Sequence, residues 1–324
     1  MSKLLSGLLA AVALVSILMV PGGPGLDAQA RTTSGTSFTL GVLRRDGVVV
    51  PFASYDTRRF VNRWPVPGRR QDIPISIASS PKKWWLRDSP VSAWTAWPMR
   101  GENRVVHVTS PVNLMAECQT HIGLQTDYSS IEPPVPPKMQ PYPKDGLATT
   151  GDVLVGPVEI LDAQSADWSK VSADVAAKIT AAETPRVMET DLPESFTERQ
   201  RAETAFTLEI LFRSPGPRPG TTVLYFEGVK RYPRFRLGPE LLTYAVGFVR
   251  IDSQAPPKIE VTATLSDRDR QGLVYTMVLG SFRLDGKLYW VAQRSAWGYE
   301  RYDILEITDT EVRTVFKTEG GSCG

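Results

Sequence analysis

Two stretches built on an Asp-Gly pair constrain this chain more than any other feature. Residues 38–52 read FTLGVLRRDGVVVPF, and residues 277–293 read MVLGSFRLDGKLYWVAQ. In both, β-favouring residues alternate on either side of the pair, which is the strongest short-range signal for a β-hairpin. At a common offset of 239 residues the second stretch repeats Leu40, Gly41, Arg44, Asp46 and Gly47 of the first, as well as Ala53 directly after it. The chain therefore opens and closes on the same kind of hairpin.

The two hairpins admit three interpretations. They could be copies of one duplicated unit, but a propeller would show a blade about every 40–50 residues, and no third copy occurs at such a spacing. Turn chemistry alone would also produce Asp-Gly with β-branched neighbours. A third hypothesis is that the hairpins pair within one sheet and close the fold.

Residues 1–30 have the pattern of an export signal. Lys3 precedes the apolar run 8–20, and Ala28-Gln29-Ala30 supplies the small residues that signal peptidase accepts. We expect cleavage near Ala30 and a secreted or periplasmic protein with no membrane span after cleavage. The alternative is an uncleaved anchor, although residues 4–20 are short and interrupted for a transmembrane helix.

The chain has two cysteines, Cys118 and Cys323. In an exported protein an even pair favours a disulfide over a reactive thiol. Such a bond would tie the C-terminal tail to the middle of the chain.

Proline content suggests a division of the mature chain. Residues 131–146 contain six prolines in sixteen positions, a composition typical of a semi-rigid connector. We predict a Trp/Pro-rich β lobe over residues 31–130 and an α+β lobe over residues 147–324 that ends in an antiparallel meander. The alternative is that the prolines form a long loop packed across one domain.

The periodicity predicts a mainly β (α+β) fold of antiparallel sheets and meanders, with one or two helices near residues 164–205. Residues 166–182 form the one long helical pattern, which we expect Pro185 to end, and a capping box predicts a short helix from Ser195. Strands are expected at 105–109, at 112–124 and repeatedly after Phe206, while Pro51 predicts an edge or a bulge in the first hairpin. The alternative architecture is a single closed β-propeller or barrel-like domain.

Few residues suggest chemistry. The chain has only two histidines, His107 and His121. Cys118 and His121 have the spacing of half a zinc site, which lacks two further ligands, so we expect neither a metal nor a cofactor. A phosphate loop, a dinucleotide fingerprint and a paired-carboxylate signature are all missing from the sequence.

The segment 44–104 is the one functional candidate, with twelve Lys/Arg against five Asp/Glu and five of the eight tryptophans. Exposed tryptophans beside cations can bind the sugar rings and anionic groups of a polymer. In a loop-rich domain they can equally fill the core. The candidate binding residues are Trp64, Trp84, Trp85, Trp94, Trp97, Arg58, Arg59 and Arg63.

These observations predict an exported, non-catalytic envelope or secreted protein that contacts a glycan, a cell-wall polymer or an envelope protein, with no nucleic-acid partner. The lack of catalytic motifs leans against an enzyme without deciding the question. The alternative is an exported hydrolase that acts through carboxylates, with Glu117, Asp127 and Asp88 as candidates.

Overall fold

The computed structural model describes residues 36–69, 72–86, 89–133, 135–136, 139–188, 196–232, 241–266 and 272–324. Across these ranges the protein is mainly β, with antiparallel sheets and two α-helices, as the sequence predicts. The predicted signal peptide, the candidate Asp88 and the predicted helix cap at Ser195 lie outside them. No helix in the described ranges is long and apolar enough to cross a bilayer.

Six strands of the N-terminal half close into a barrel. They are β1 (Phe38–Arg44), β2 (Val48–Tyr55), β4 (Ala93–Pro98), β5 (Arg104–Ala116), β6 (Gln119–Thr126) and β7 (Lys144–Thr149). Their order is β1-β7-β4-β5-β6-β2, and the pairing of β2 with β1 completes the ring. The short strand β3 (Phe60–Val61) extends the sheet beyond β2. A barrel was the alternative architecture, and here it makes up one part of a larger fold.

Two five-stranded sheets follow. The middle sheet has the order β13-β12-β11-β10-β9, and the C-terminal sheet has the order β17-β16-β15-β14-β8, whose last four strands form the predicted meander. Their strands are β8 (Val155–Gly156), β9 (Glu159–Ile160), β10 (Phe206–Pro215), β11 (Thr221–Arg231), β12 (Leu242–Asp252), β13 (Ala255–Ser266), β14 (Tyr275–Leu284), β15 (Lys287–Ala296), β16 (Tyr299–Ile307) and β17 (Val312–Ser322).

The parts stack as barrel, C-terminal sheet, middle sheet and helix. Residues from all six barrel strands meet in one interior cluster, which includes Leu43 and Trp94. The outer face of β1 packs against the C-terminal sheet, the opposite face of that sheet packs against the middle sheet, and helix α1 (Ala166–Met188) covers the far side. Each sheet face thus finds an apolar partner, as layered folds require.

The two Asp-Gly hairpins lie in different sheets, so the hypothesis that they pair is wrong. They face each other across a shared core that contains Leu40 and Leu279. Their turns also differ. The first closes a three-residue loop with only Gly47 at positive φ (81°), whereas Asp285 (51°) and Gly286 (76°) form a two-residue loop. This difference favours local turn chemistry as the source of the similarity.

Proline effects account for most differences in element bounds. The sequence predicts two strands separated at residues 110–111, but the structure has the single strand β5 there. Pro111 is tolerated because β5 pairs only with β6 at this position, so a backbone N–H is not required on the opposite edge. Pro51 coincides with a bulge in β2, as predicted. Helix α1 continues past Pro185 to Met188, and the extra turn is held by packing of Val187. The predicted end at Pro185 is therefore wrong.

Two further differences concern the middle of the chain. Helix α2 (Glu198–Glu203) is capped by Thr197, whose hydroxyl accepts from the Gln200 N–H, two residues after the predicted cap. The last three residues of the proline-rich stretch, 144–146, belong to the barrel strand β7. The division into two lobes stays a prediction.

Candidate binding cleft

Four of the five candidate tryptophans lie inside the protein. Their exposed fractions are between 1% and 8%, and the rings of Trp64 and Trp84 lie 4.8 Å apart within the barrel core cluster. Trp64 Nε1 also donates to the carbonyl of Ile122 at 2.7 Å. Trp97 is half-buried and donates to the Thr149 hydroxyl. The buried rings are Trp64, Trp84, Trp85 and Trp94. These four rings are not accessible to a polymer. They fill the core, which is the alternative that the sequence analysis gives for them.

The candidate arginines are exposed. Arg58 and Arg59 lie on the loop between β2 and β3, where their N–H groups donate to the Asp56 carboxylate at 3.1 and 3.0 Å. These bonds hold the pKa of Asp56 below its usual value. Arg63 follows β3 and is exposed as well. The structure therefore separates the predicted set into surface cations and core aromatics.

The candidate carboxylates do not converge. Asp127 is exposed and accepts from the backbone N–H of His107 at 2.8 Å, which lowers the pKa of its carboxyl. Glu117 lies in the β5–β6 turn at φ 56°. Within the described ranges no group of three or more His, Cys, Asp or Glu side chains is placed to hold a metal ion.

The predicted disulfide between Cys118 and Cys323 is present, with a Cα–Cα distance of 4.6 Å. It joins the β5–β6 turn of the barrel to the end of the C-terminal sheet. The C-terminal tail is also held by backbone hydrogen bonds. Strand β17 continues to Ser322, and the Cys323 N–H donates to the carbonyl of Gly298 at 2.9 Å.

A cleft of about 610 Å³ opens beside this disulfide. Its wall is formed by the β5–β6 turn, the loop before β7, the start of β14, the β15–β16 turn and the C-terminus. The lining residues are Glu117, Gln140, Pro141, Tyr275, Ser295, Ala296, Trp297, Gly298, Cys323 and Gly324. Trp297 is 83% exposed, the most exposed aromatic side chain among the described residues.

Local geometry explains why Trp297 projects. The two-residue turn Trp297-Gly298 joins β15 to β16, with Gly298 at φ 69°. A Cβ at Gly298 would lie 3.1 Å from that of Cys323, so only glycine allows the disulfide to pass this close. Because Cys323 packs against this turn, the indole of Trp297 is not buried and lies at the rim of the cleft.

Glu117 is the one acidic side chain in the cleft wall. Burial raises the pKa of its carboxyl, the charge of Glu300 raises it further, and Lys144 opposes both. Its buried Oε1 has no hydrogen-bond partner among the described residues. Across the wall, Gln140 is partly engaged by the backbone of Met115 and Glu117.

A buried ion pair between Lys144 and Glu300 joins the two layers that form the cleft. Lys144 Nζ of the barrel lies 3.0 Å from Glu300 Oε2 of the C-terminal sheet, and both side chains are almost fully buried. Gln293 and the Tyr302 hydroxyl also donate to Glu300. Lys144 donates as well to the carbonyl of Tyr142, next to the cis peptide bond before Pro141. The ion pair thus connects the two layers that form the cleft.

Sequence reasoning did not single out Trp297, Tyr275 or Gln140. The available signal was a Trp-Gly pair between two predicted strands, since a tryptophan in a tight turn has few neighbours to bury it. No family model, curated protein or solved structure matches this chain.

Proposed function

We propose that this is an exported, non-catalytic binding protein of the cell envelope or the extracellular space, and that it recognises a glycan in the cleft beside the disulfide. The observation that carries the proposal is the indole of Trp297, 83% exposed at the rim of a cleft of about 610 Å³. Large exposed aromatics beside a cleft are typical of recognition sites.

The mixture of groups in the wall favours a glycan over a purely apolar ligand. A sugar ring has an apolar face that an aromatic side chain can cover, and hydroxyl groups at its edge that need hydrogen bonds. Trp297 and Tyr275 supply the aromatic surface, while Glu117, Gln140 and Ser295 supply donors and acceptors.

Export is supported by the disulfide between Cys118 and Cys323, since such bonds persist in oxidising compartments. The first residue of the processed protein tests this part of the proposal. N-terminal sequencing after export is expected to begin at Arg31, and a chain that retains residues 1–30 would contradict it.

The alternative, an exported hydrolase, would need Glu117 as an acid. Glycoside hydrolysis uses two carboxyl groups about 5–9 Å apart. Glu117 is the only acidic side chain among the described residues lining the cleft, and Asp127 is absent from its wall. The geometry therefore favours binding without turnover.

Retention on beads of peptidoglycan, chitin and cellulose tests the proposal. Trp297→Ala is expected to weaken retention at least about tenfold, as is typical of a tryptophan that contributes most of the aromatic contact in a binding site. Ile131→Ala, which trims another exposed apolar side chain (71%), is the control and should bind like the wild type. Release of reducing sugars should be absent both with the wild type and with Glu117→Gln. Retention that does not change in Trp297→Ala, or a wild type that binds none of the beads, would contradict the glycan site.

A further inference from the structure

A second surface, on the barrel, combines cations with exposed aliphatic side chains. It consists of Arg63, Val66, Ile73, Ile75, Lys82 and Lys83, which we call the basic–aliphatic face. Ile75 is 99% exposed, Val66 54% and Ile73 39%. Arg63, Lys82 and Lys83 are also exposed. Within the described ranges Lys82 and Lys83 form no ion pair, while the charge of Arg63 helps to lower the pKa of the Asp56 carboxyl.

The buried tryptophans hold this face together. Trp64 packs against Trp84 and Trp85 at centroid distances of 4.8 and 5.4 Å. Trp85 Nε1 donates to the Ser80 hydroxyl at 2.9 Å, and Ile77 packs on the same cluster. In the sequence, each residue of the face except Ile73 is at most two residues away from a member of this cluster. Three short segments that carry the exposed residues of this face are therefore connected to one buried cluster.

An aliphatic side chain as exposed as Ile75 is unfavourable in water, because apolar surface gains free energy when it leaves water. The segment 63–88 carries six Lys/Arg and two Asp/Glu in the sequence, so its net charge is positive. One of the two acids, Asp72, is exposed in the same stretch and reduces the charge without reversing it. Cations around protruding aliphatic groups match an anionic bilayer, whose headgroups attract the charges and whose acyl boundary accepts the apolar tips.

We propose that the basic–aliphatic face docks this protein on an anionic lipid surface. The aliphatic tips separate this partner from a soluble polyanion, which would use the cations and leave Ile75 in water. The residues of this face are not among those that line the cleft at Trp297.

Sedimentation with lipid vesicles tests the proposal, with the processed protein recovered after export. We expect binding to vesicles of phosphatidylglycerol and phosphatidylcholine, and little to phosphatidylcholine alone. Each cation near an anionic surface contributes about fivefold in partitioning, so Lys82→Glu/Lys83→Glu should weaken binding by at least about 25-fold. Salt at 1 M should also weaken it, because the Debye length falls from about 10 Å at 0.1 M to about 3 Å.

Ile75→Asp distinguishes a membrane from a polyanion. It should reduce vesicle binding about tenfold or more, as loss of a buried aliphatic side chain implies. The matched controls are Lys178→Glu/Lys258→Glu and Val105→Asp, which make the same changes at exposed positions elsewhere and should bind normally. Because all of these positions are exposed, thermal unfolding should be unchanged in every variant.

Three results would overturn the proposal. One is equal binding to both kinds of vesicle, and another is vesicle binding that Ile75→Asp leaves unchanged. The third is retention on heparin without vesicle binding, which would identify a soluble polyanion as the partner. Loss of glycan binding in Trp297→Ala is independent of all three.

Discussion

Acid is expected to destabilise this protein through one buried side chain, His121. The Pro65 carbonyl can only accept a hydrogen bond, so the Nε2 atom 2.8 Å away carries the proton of the neutral ring. The pKa of His121 is lowered to about 4, with burial as the largest cause; the bond to Pro65 opposes this effect, and the charges of Arg44 and Lys144 contribute to the lowering. A protonated ring would be an additional cation among buried cations.

The size of the effect follows from this pKa. Because the folded-state pKa lies below the ordinary value of 6.5, the contribution of the neutral ring is fully present above pH 6.5 and is lost as the pH falls towards 4. Each pH unit in this window corresponds to about 1.4 kcal/mol, so the whole window costs roughly 3 kcal/mol. That is a large share of the 5–15 kcal/mol or so that stabilises a typical folded protein.

Urea unfolding of the wild type and of His121→Gln at pH 7.5 and pH 4 measures this contribution. Glutamine keeps an N–H donor for Pro65 but does not titrate. Carboxyl groups elsewhere titrate in both proteins and cancel in the difference. Between pH 7.5 and pH 4 the unfolding free energy of the wild type should therefore fall by roughly 3 kcal/mol more than that of His121→Gln.

The second histidine supplies the control. The His107 side chain is 66% exposed, so His107→Gln reports the effect of the same substitution at the surface. A difference between wild type and His121→Gln that stays constant across this pH range would show that the His121 ring is not the group that resists protonation.

Three further predictions concern the surroundings of the cleft. Replacing Cys118 and Cys323 with serine should cost up to about 5 kcal/mol by the loop-entropy relation, because the bond spans 205 residues; calorimetry showing no fall in Tm would contradict this. Lys144→Met should cost about 3–5 kcal/mol in urea unfolding, since it leaves the Glu300 carboxylate buried without its cation, and a variant of wild-type stability would show that the pair is not needed. The raised pKa of Glu117 means that its stabilising protonated form is lost as pH rises above 4.5, so Glu117→Gln should be more stable than the wild type at pH 7 and equal to it below about pH 4; the reverse order in thermal melts would sink the argument.

Local features were readable from the sequence because they depend on neighbours along the chain. Strand periodicity predicted the C-terminal meander, Asp-Gly predicted both hairpin turns, and the apolar spacing of residues 166–182 predicted helix α1. The disulfide was also predictable, since two cysteines allow a single intramolecular pair. Errors occurred where tertiary packing overrode a local rule, as at Pro111 and Pro185.

The site was not readable in the same way, because the exposure of a side chain depends on residues far away in sequence. Trp64 is buried by β6, which lies some sixty positions later, and its Nε1 finds its acceptor there at Ile122. Trp297 has no such partner and remains exposed. Two tryptophans thus occupy opposite environments, Trp64 in the core and Trp297 at the surface.

Neighbouring residues along the chain were sufficient to predict the β-rich class, the hairpins, the disulfide pair and the basic character of residues 44–104. The closure of six strands into a barrel, the placement of the Asp-Gly hairpins in different sheets and the exposure of Trp297 and Ile75 depend on tertiary packing. Turn chemistry and periodicity act over a few residues, whereas burial is set by which faces meet when the layers stack.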